Sequence, residues 1–176
     1  MARAHASMKR VVDRSLMPRI ELTTAIAAPR ERCFDLARSV ELHAQSAVAT
    51  GEAAVGGRRH GLLELNDEVT WRGRHLGIWQ TLTSRIVAYD RPGHFRDSMA
   101  RGPFARLDHD HYFAEDGRGG TVMRDVFDFA APLGLLGRAV ERLILTRYLR
   151  SFLKARNRAI KLAAESDAWR RFVPVV

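Results

Sequence analysis

Between Glu68 and Pro132 the chain runs through five segments in which apolar and polar residues alternate: "EVTWRGRHL", "QTLTSRIVAYDRP", "HFRDSMARGPF", "LDHDHYF" and "TVMRDVFDFAAP". After them comes a single breaker-poor stretch, Leu133 to about Ser166, long enough for one long helix. Period-two alternation marks strands with one buried face. Successive buried faces demand a cover, and only one long helix is available to supply it. That leaves an α+β architecture: one strongly curved antiparallel sheet wrapped around one C-terminal helix. Curvature leaves a space between sheet and helix, and such spaces bind ligands.

The remaining chain fits around this frame. "RIELTTAIAAP" (19–29) alternates Ile20, Leu22, Thr24 and Ile26 against polar neighbours and reads as a half-buried strand. Pro29 opens a helix at a position proline tolerates. "RERCFDLARSVELHAQS" carries Cys33, Phe34 and Ala37 at helical spacing, with a second short helix from Val40. "TGEAAVGGRRHGLLELND" is punctuated by glycine and reads as a bent edge strand with loops. In the long helix, Leu136, Val140, Leu143 and Ile144 form one apolar stripe; Leu145, Leu149, Phe152, Leu153, Ile160 and Ala164 form another. At ~100° per residue the two cannot share one face, so either a break falls near Thr146 or the first turns bury a different surface. The chain divides into a basic tail (1–18), a ligand-binding domain (19–165) and a C-terminal tail (166–176). Trp169 and Phe172 in the last are expected to dock on the domain or on a second copy. The basic tail is either an upstream extension, with Met17 as the start, or a weakly amphipathic helix around Met8–Leu16.

The net charge of +9 comes almost entirely from arginine, lysine occurring only as Lys9, Lys154 and Lys161. The charges are spread rather than massed, which argues against a nucleic-acid partner. Arg138, Arg142, Arg147, Arg150, Arg156 and Arg158 read as solvated helix faces, with peripheral attraction to an anionic membrane or to a ligand near the cavity mouth as the alternative. No apolar run spans a bilayer, and the N-terminus lacks a secretory stretch. One cysteine, Cys33, permits no internal disulfide, so a reducing cytoplasm is expected and Cys33 reads as a small core residue. Ser98 sits in no nucleophile elbow, and no phosphate-binding or dinucleotide glycine pattern occurs. No cofactor is expected, and the chain is expected to be a monomer or homodimer.

The chemistry concentrates in "LDHDHYF". On a strand, His109 and His111 share a face with Leu107 and Phe113, while Asp108 and Asp110 share the other with Tyr112. Folding the hairpin through "EDGRGG" sets Phe113 opposite Thr121, His111 opposite Met123 and His109 opposite Asp125. Thr121, Met123, Asp125, Phe127 and Phe129 then face inward, as do Phe95, Asp97 and Met99, and Trp71 and His75. The expected cavity is aromatic, with His75, Asp97, His109, His111 and Asp125 clustered in it. Three readings follow: mutually satisfied core polars, anchors for the polar end of a ligand, or acid–base catalysis by an Asp-oriented imidazole, with His109, His111 and Asp125 as candidates. His-x-His on one face is also metal-ligand spacing. "GPFARLDHDHYFAE" is similar to the first cupin motif, but its histidines come one residue late and no second motif follows. No metal is therefore expected; were one bound, Asp125, Asp97 or His75 would be the third ligand.

The pattern "IELTTAIAAPRERCFDLA", "PGHF", "GPFARLDHDHYF" and "GGTVMRDVFDFAAPLG" resembles the SRPBCC superfamily over about 19–165. This is the helix-grip fold of START lipid-binding domains, polyketide cyclases and the birch pollen allergen. The resemblance implies a hydrophobic cavity under the helix and carries over no universal catalytic residues. The expected function is binding of a small hydrophobic or aromatic molecule or a lipid. The alternatives are a polyketide cyclase/dehydrase-type enzyme using the His–Asp cluster and an interaction module with an unoccupied cavity.

Overall fold

The structure is a computed structural model that describes residues 18–131 and 144–174. Met17, the Met8–Leu16 helix, the stripe residues Leu136, Val140 and Leu143, and Arg138 and Arg142 lie outside the described residues. The elements are β1 (Arg19–Ile26), α1 (Arg30–Ala37), α2 (Val40–Ser46), β2 (Ala53–Gly57), β3 (Glu68–His75), β4 (Ile78–Asp90), β5 (His94–Arg101), β6 (Arg106–Glu115), β7 (Thr121–Ala130) and α3 (Thr146–Ala164). The seven strands form one antiparallel sheet in the order β1-β7-β6-β5-β4-β3-β2. The two short helices carry the chain from one edge of the sheet to the other. Register shifts between Ala54 and Gly56, Thr83 and Ser84, and Ile86 and Ala88 add the local twist that curves the sheet.

Pro29 stands at the N-cap of α1, one position before the helix proper, and its carbonyl accepts from the Cys33 amide. Ser39 caps α2 by accepting from the Leu42 amide. Leu153, Ile160 and Ala164 of the second stripe are buried, whereas Ile144 of the first is exposed. α3 packs on α1, α2 and β1. Its C-terminal half presents Ala163 and Ala164 to the main core around Phe34 and Leu36. Residues 166–174 fold back onto this core: Phe172 and Val173 are buried, and the Arg32 guanidinium lies 4.7 Å over the Trp169 ring. Cys33 is buried and free, and its burial pushes the thiol above its ordinary value.

The β6–β7 register differs from the sequence expectation by one residue pair. Phe113 lies opposite Met123, His111 opposite Asp125, and His109 opposite Phe127. The cause is the tight loop at 116–120, where Asp116 Oδ1 accepts from the Arg118 and Gly120 amides, both at 2.8 Å. Closing the loop this way extends the ladder to Glu115 and Thr121. A two-residue shift leaves every side chain on its expected face.

Candidate functional site

α3 meets the core through small residues at its C-terminal end but through Tyr148, Leu149, Phe152 and Leu153 at its N-terminal end. There a cavity of about 160 Å³ separates it from the sheet. That volume is close to the roughly 150 Å³ of an apolar cavity known to house benzene. Trp71, Leu82, Ile86, Phe95, Leu107 and Phe127 line the sheet side. Two polar clusters interrupt the apolar wall.

The first cluster is centred on Asp125, fully buried behind the wall. Its Oδ1 lies 3.0 Å from His109 Nε2, and its Oδ2 accepts from Asn157 Nδ2 at 2.7 Å. His111 Nδ1 stands 2.8 Å from the same Oδ1 but outside hydrogen-bonding alignment, while its Nε2 lies 3.1 Å from Asp97 Oδ2. Arg156 Nη1 is 3.8 Å from Asp125 Oδ1, and Arg156 Nη2 donates to the Ala37 carbonyl at 2.6 Å. Burial alone would raise the Asp125 carboxyl; the imidazoles of His109 and His111 instead hold it well below its ordinary value. Burial likewise opposes ionisation of Asp97, but the hydrogen bond from His111 and the neighbouring charges bring it below its ordinary value. Burial, reinforced by His111, pushes His109 down to about 4 against the pull of Asp125. His109 is therefore neutral at pH 7. A carboxylate only accepts, so His109 Nε2–H donates to Asp125 and Nδ1 carries the lone pair.

The second cluster joins α2, the residue just before β2, the β3 end and α3. Glu52 Oε1 lies 2.5 Å from His43 Nε2, and Oε2 lies 2.9 Å from His75 Nε2. His75 Nδ1 is 2.7 Å from the Tyr148 hydroxyl. Burial works against the Glu52 charge, yet hydrogen bonds from His43 and His75 bring it down to about 2. Burial, then the Glu52 charge, raises the Tyr148 phenol above its ordinary value. His43 stacks on Trp71 with centroids 4.0 Å apart, fixing its ring.

Of the residues expected in the cavity, Trp71, His75, Phe95, Asp97, His109 and Phe127 line it. His111, Asp125 and Met123 share the inward face but are fully buried behind the lining. Met99 packs beside Phe127 and Phe129. His75 does not join the other four polar residues, because it sits at the end of β3, where the partner that reaches it is Glu52. Arg156 corrects the reading of the helix arginines as solvated: it is buried and lines the cavity. On the other face, Asp108 and Asp110 are also buried, paired with Ser98 and Arg106, and with His94 and Arg96. Sequence reasoning missed His43, Glu52, Tyr148 and Asn157.

Asp97, His109 and His111 form the one group among the described residues whose donor atoms all lie within 4.8 Å of one another in the manner of a metal site. The fit is poor. Both imidazoles already face carboxylates, and a buried guanidinium stands beside them.

Solved structures share this fold. An aromatase/cyclase from a Streptomyces species superposes with a TM-score of 0.69 at 18% identity, covering 88% of this chain and 95% of that one. A major latex-like protein from Panax ginseng gives 0.64 at 17% identity, covering 86% and 99%. A protein from Thermus thermophilus gives 0.66 at 19% identity, covering 85% and 100%. Among curated proteins, none matches the chain significantly by sequence. No helix among the described residues is long and apolar enough to cross a membrane. The family profile described as polyketide cyclase / dehydrase and lipid transport matches residues 17–165. With that match spanning most of its length on a helix-grip fold, the chain belongs to this family of the SRPBCC superfamily.

Proposed function

We propose that the chain binds a small, largely apolar molecule bearing a neutral carbonyl oxygen, in the cavity between the sheet and α3, as a protein of the reducing cytoplasm. The observation that carries this is Arg156. It is buried and lines the cavity, yet its Nη1 has no hydrogen-bond partner among the described residues. A buried donor left unpaired costs about 1–3 kcal/mol, more when charged, so an acceptor delivered by a ligand is strongly favoured. The carboxylates of Asp97 and Asp125 nearby disfavour an anion, which selects a ketone, ester or amide oxygen over a carboxylate. The expected ligand-binding residues are Trp71, Phe95, Asp97, His109, Phe127 and Arg156, with His111 and Asp125 holding His109 from behind.

Family membership favours a second reading, a cyclase/dehydrase in which His109 Nδ1 takes a proton while Arg156 polarises a carbonyl. Proton transfer is most efficient when the base has a pKa near the working pH. At about 4 in the empty cavity, His109 is a weak base, which ranks binding first. Peripheral contact with an anionic membrane belongs to the lipid form of the binding reading. It is supported by the exposed tip of the β3–β4 hairpin, Leu76, Ile78 and Trp79, beside the exposed Arg72 and Arg74.

The test compares acetophenone with α-methylstyrene, in which CH2 replaces the carbonyl oxygen at nearly equal size. Titration calorimetry should show the ketone favoured in the wild type and the preference lost in Arg156→Met. Failure of both compounds to bind would leave an interaction module with an unoccupied cavity. Formation of an aromatic chromophore from an added poly-β-ketone mimic, lost in His109→Leu, would establish the enzyme instead.

A further inference from the structure

We infer that the His43–Glu52–His75–Tyr148 cluster is a second polar subsite of the same cavity, one that accepts a hydrogen bond from a hydroxyl or amine group on the ligand. The inference rests on the reading that the cavity takes a ligand, and it makes that ligand bipolar. All four residues line the cavity. Glu52 spends both oxygens on the imidazoles, one on each Nε2. A carboxylate that stays ionised to about pH 2 can only accept, so both rings must present Nε2–H to it. In the neutral form of each ring, the form this inference assigns, the other nitrogen, Nδ1, then holds a lone pair. That of His75 is met by the Tyr148 hydroxyl, which donates its one proton there. That of His43 meets no partner among the described residues, and its ring is pinned by the Trp71 stack. In that form the cluster has two acceptors left to offer, the Tyr148 oxygen and His43 Nδ1.

The other end of the cavity offers Arg156 Nη1, a donor with no hydrogen-bond partner among the described residues. The two ends are therefore complementary to opposite groups: a carbonyl at Arg156 and an O–H or N–H at Tyr148 and His43. β3, which carries His75, and β6, which carries His109, are three strand spacings apart. At roughly 4.8 Å each, that gives about 14 Å along the sheet. Leu82, Ile86 and Phe95 lie between and require an apolar or aromatic middle. The ligand class that fits is an aryl or alkyl carbonyl compound with a hydroxyl or amino group at the far end.

The test uses p-cresol and p-xylene, which differ by a hydroxyl in place of one methyl. Their dissociation constants are measured by calorimetry for the wild type, Tyr148→Phe and His43→Phe. The phenylalanine at 43 keeps a ring against Trp71. We expect the cresol-to-xylene affinity ratio to fall about five-fold in Tyr148→Phe and less in His43→Phe, with xylene affinity unchanged, the effect of one net hydrogen bond. A ratio unmoved in both variants while xylene binds overturns the subsite and leaves the cavity reading standing. If xylene fails to bind the wild type, the cavity reading falls and the subsite falls with it. If one variant fails to fold, the other reads the same ratio.

Discussion

Replacing Asp125 by leucine tests how the buried cluster is held together. The carboxylate is fully buried, accepts from His109 and Asn157, and is the nearest anion to the buried Arg156 guanidinium, at 3.8 Å. Leucine matches the volume but leaves two polar side chains unpaired and a guanidinium uncompensated. Removing one partner of a buried charge pair costs about 3–5 kcal/mol. Against a domain stability of roughly 5–15 kcal/mol the variant sits near the threshold of folding, so Asp125→Asn serves beside it. Asparagine keeps the size and one acceptor, with an expected cost of about 1–3 kcal/mol. His109→Leu removes a single charge-assisted hydrogen bond, at about 1.5–3 kcal/mol. The double variant His109→Leu/Asp125→Leu should cost no more than Asp125→Leu alone, because Arg156 and Asn157 still lack their acceptor while the His109 loss is counted once. The coupling energy would then be about 1.5–3 kcal/mol. Urea unfolding at pH 7 followed by circular dichroism measures all four. A cost below about 1 kcal/mol for Asp125→Leu, or strict additivity in the double variant, would refute this account of the cluster.

The pH dependence follows from His109, whose folded value of about 4 lies below its ordinary 6.5. A depressed histidine contributes stability that is complete above pH 6.5 and is lost as pH falls towards 4. The loss is about 3 kcal/mol over that window. Asp97 and Asp125, also depressed, add their losses only further down, below their ordinary 3.8. Urea midpoints between pH 7 and 4 should fall steeply in the wild type and less in His109→Leu; equal slopes would contradict the assignment. For metal, elemental analysis of protein purified without chelators should find less than stoichiometric zinc and iron. One equivalent lost together with Asp97→Ala would overturn that expectation.

Most of the fold could be read from the sequence because it rests on period-two alternation and on turn residues, both local signals. The face of His109 and His111 was legible for the same reason. Their partners were not, because Asp116 closes its loop more tightly than the glycine pattern alone implies. Half of the cavity's polar groups come from segments with no strand period. His43 lies on a seven-residue helix and Glu52 just before a glycine-rich strand, and neither position advertises a buried face. Arg156 and Asn157 did leave a signal. Leu149, Leu153, Arg156, Ile160 and Ala163 recur at helical spacing, so Arg156 is a cation on an apolar stripe, and Asn157 falls between Leu153 and Ile160 on the same side. A charged residue on such a stripe points to a partner across the core, and here the partner is Asp125.

Both polar clusters obey one rule. In each, a carboxylate held in its charged form takes the Nε2–H of an imidazole and so decides which ring nitrogen is left bare. Asp125 is buried behind the wall and both Glu52 oxygens are met by imidazoles, so on the proposed reading a ligand meets oriented ring nitrogens. Two free carboxylates in an apolar cavity of about 160 Å³ would each demand a cation or a proton, and the space would fill with water. On the proposed reading, imidazoles and a phenol let it take an apolar body while still meeting its polar ends. Arg156 is the exception, a buried charge that lines the cavity and whose Nη1, 3.8 Å from Asp125, has no hydrogen-bond partner among the described residues. On the proposed reading, that donor set among acceptors gives the cavity a direction: a carbonyl compound that enters reversed would meet like against like at both ends.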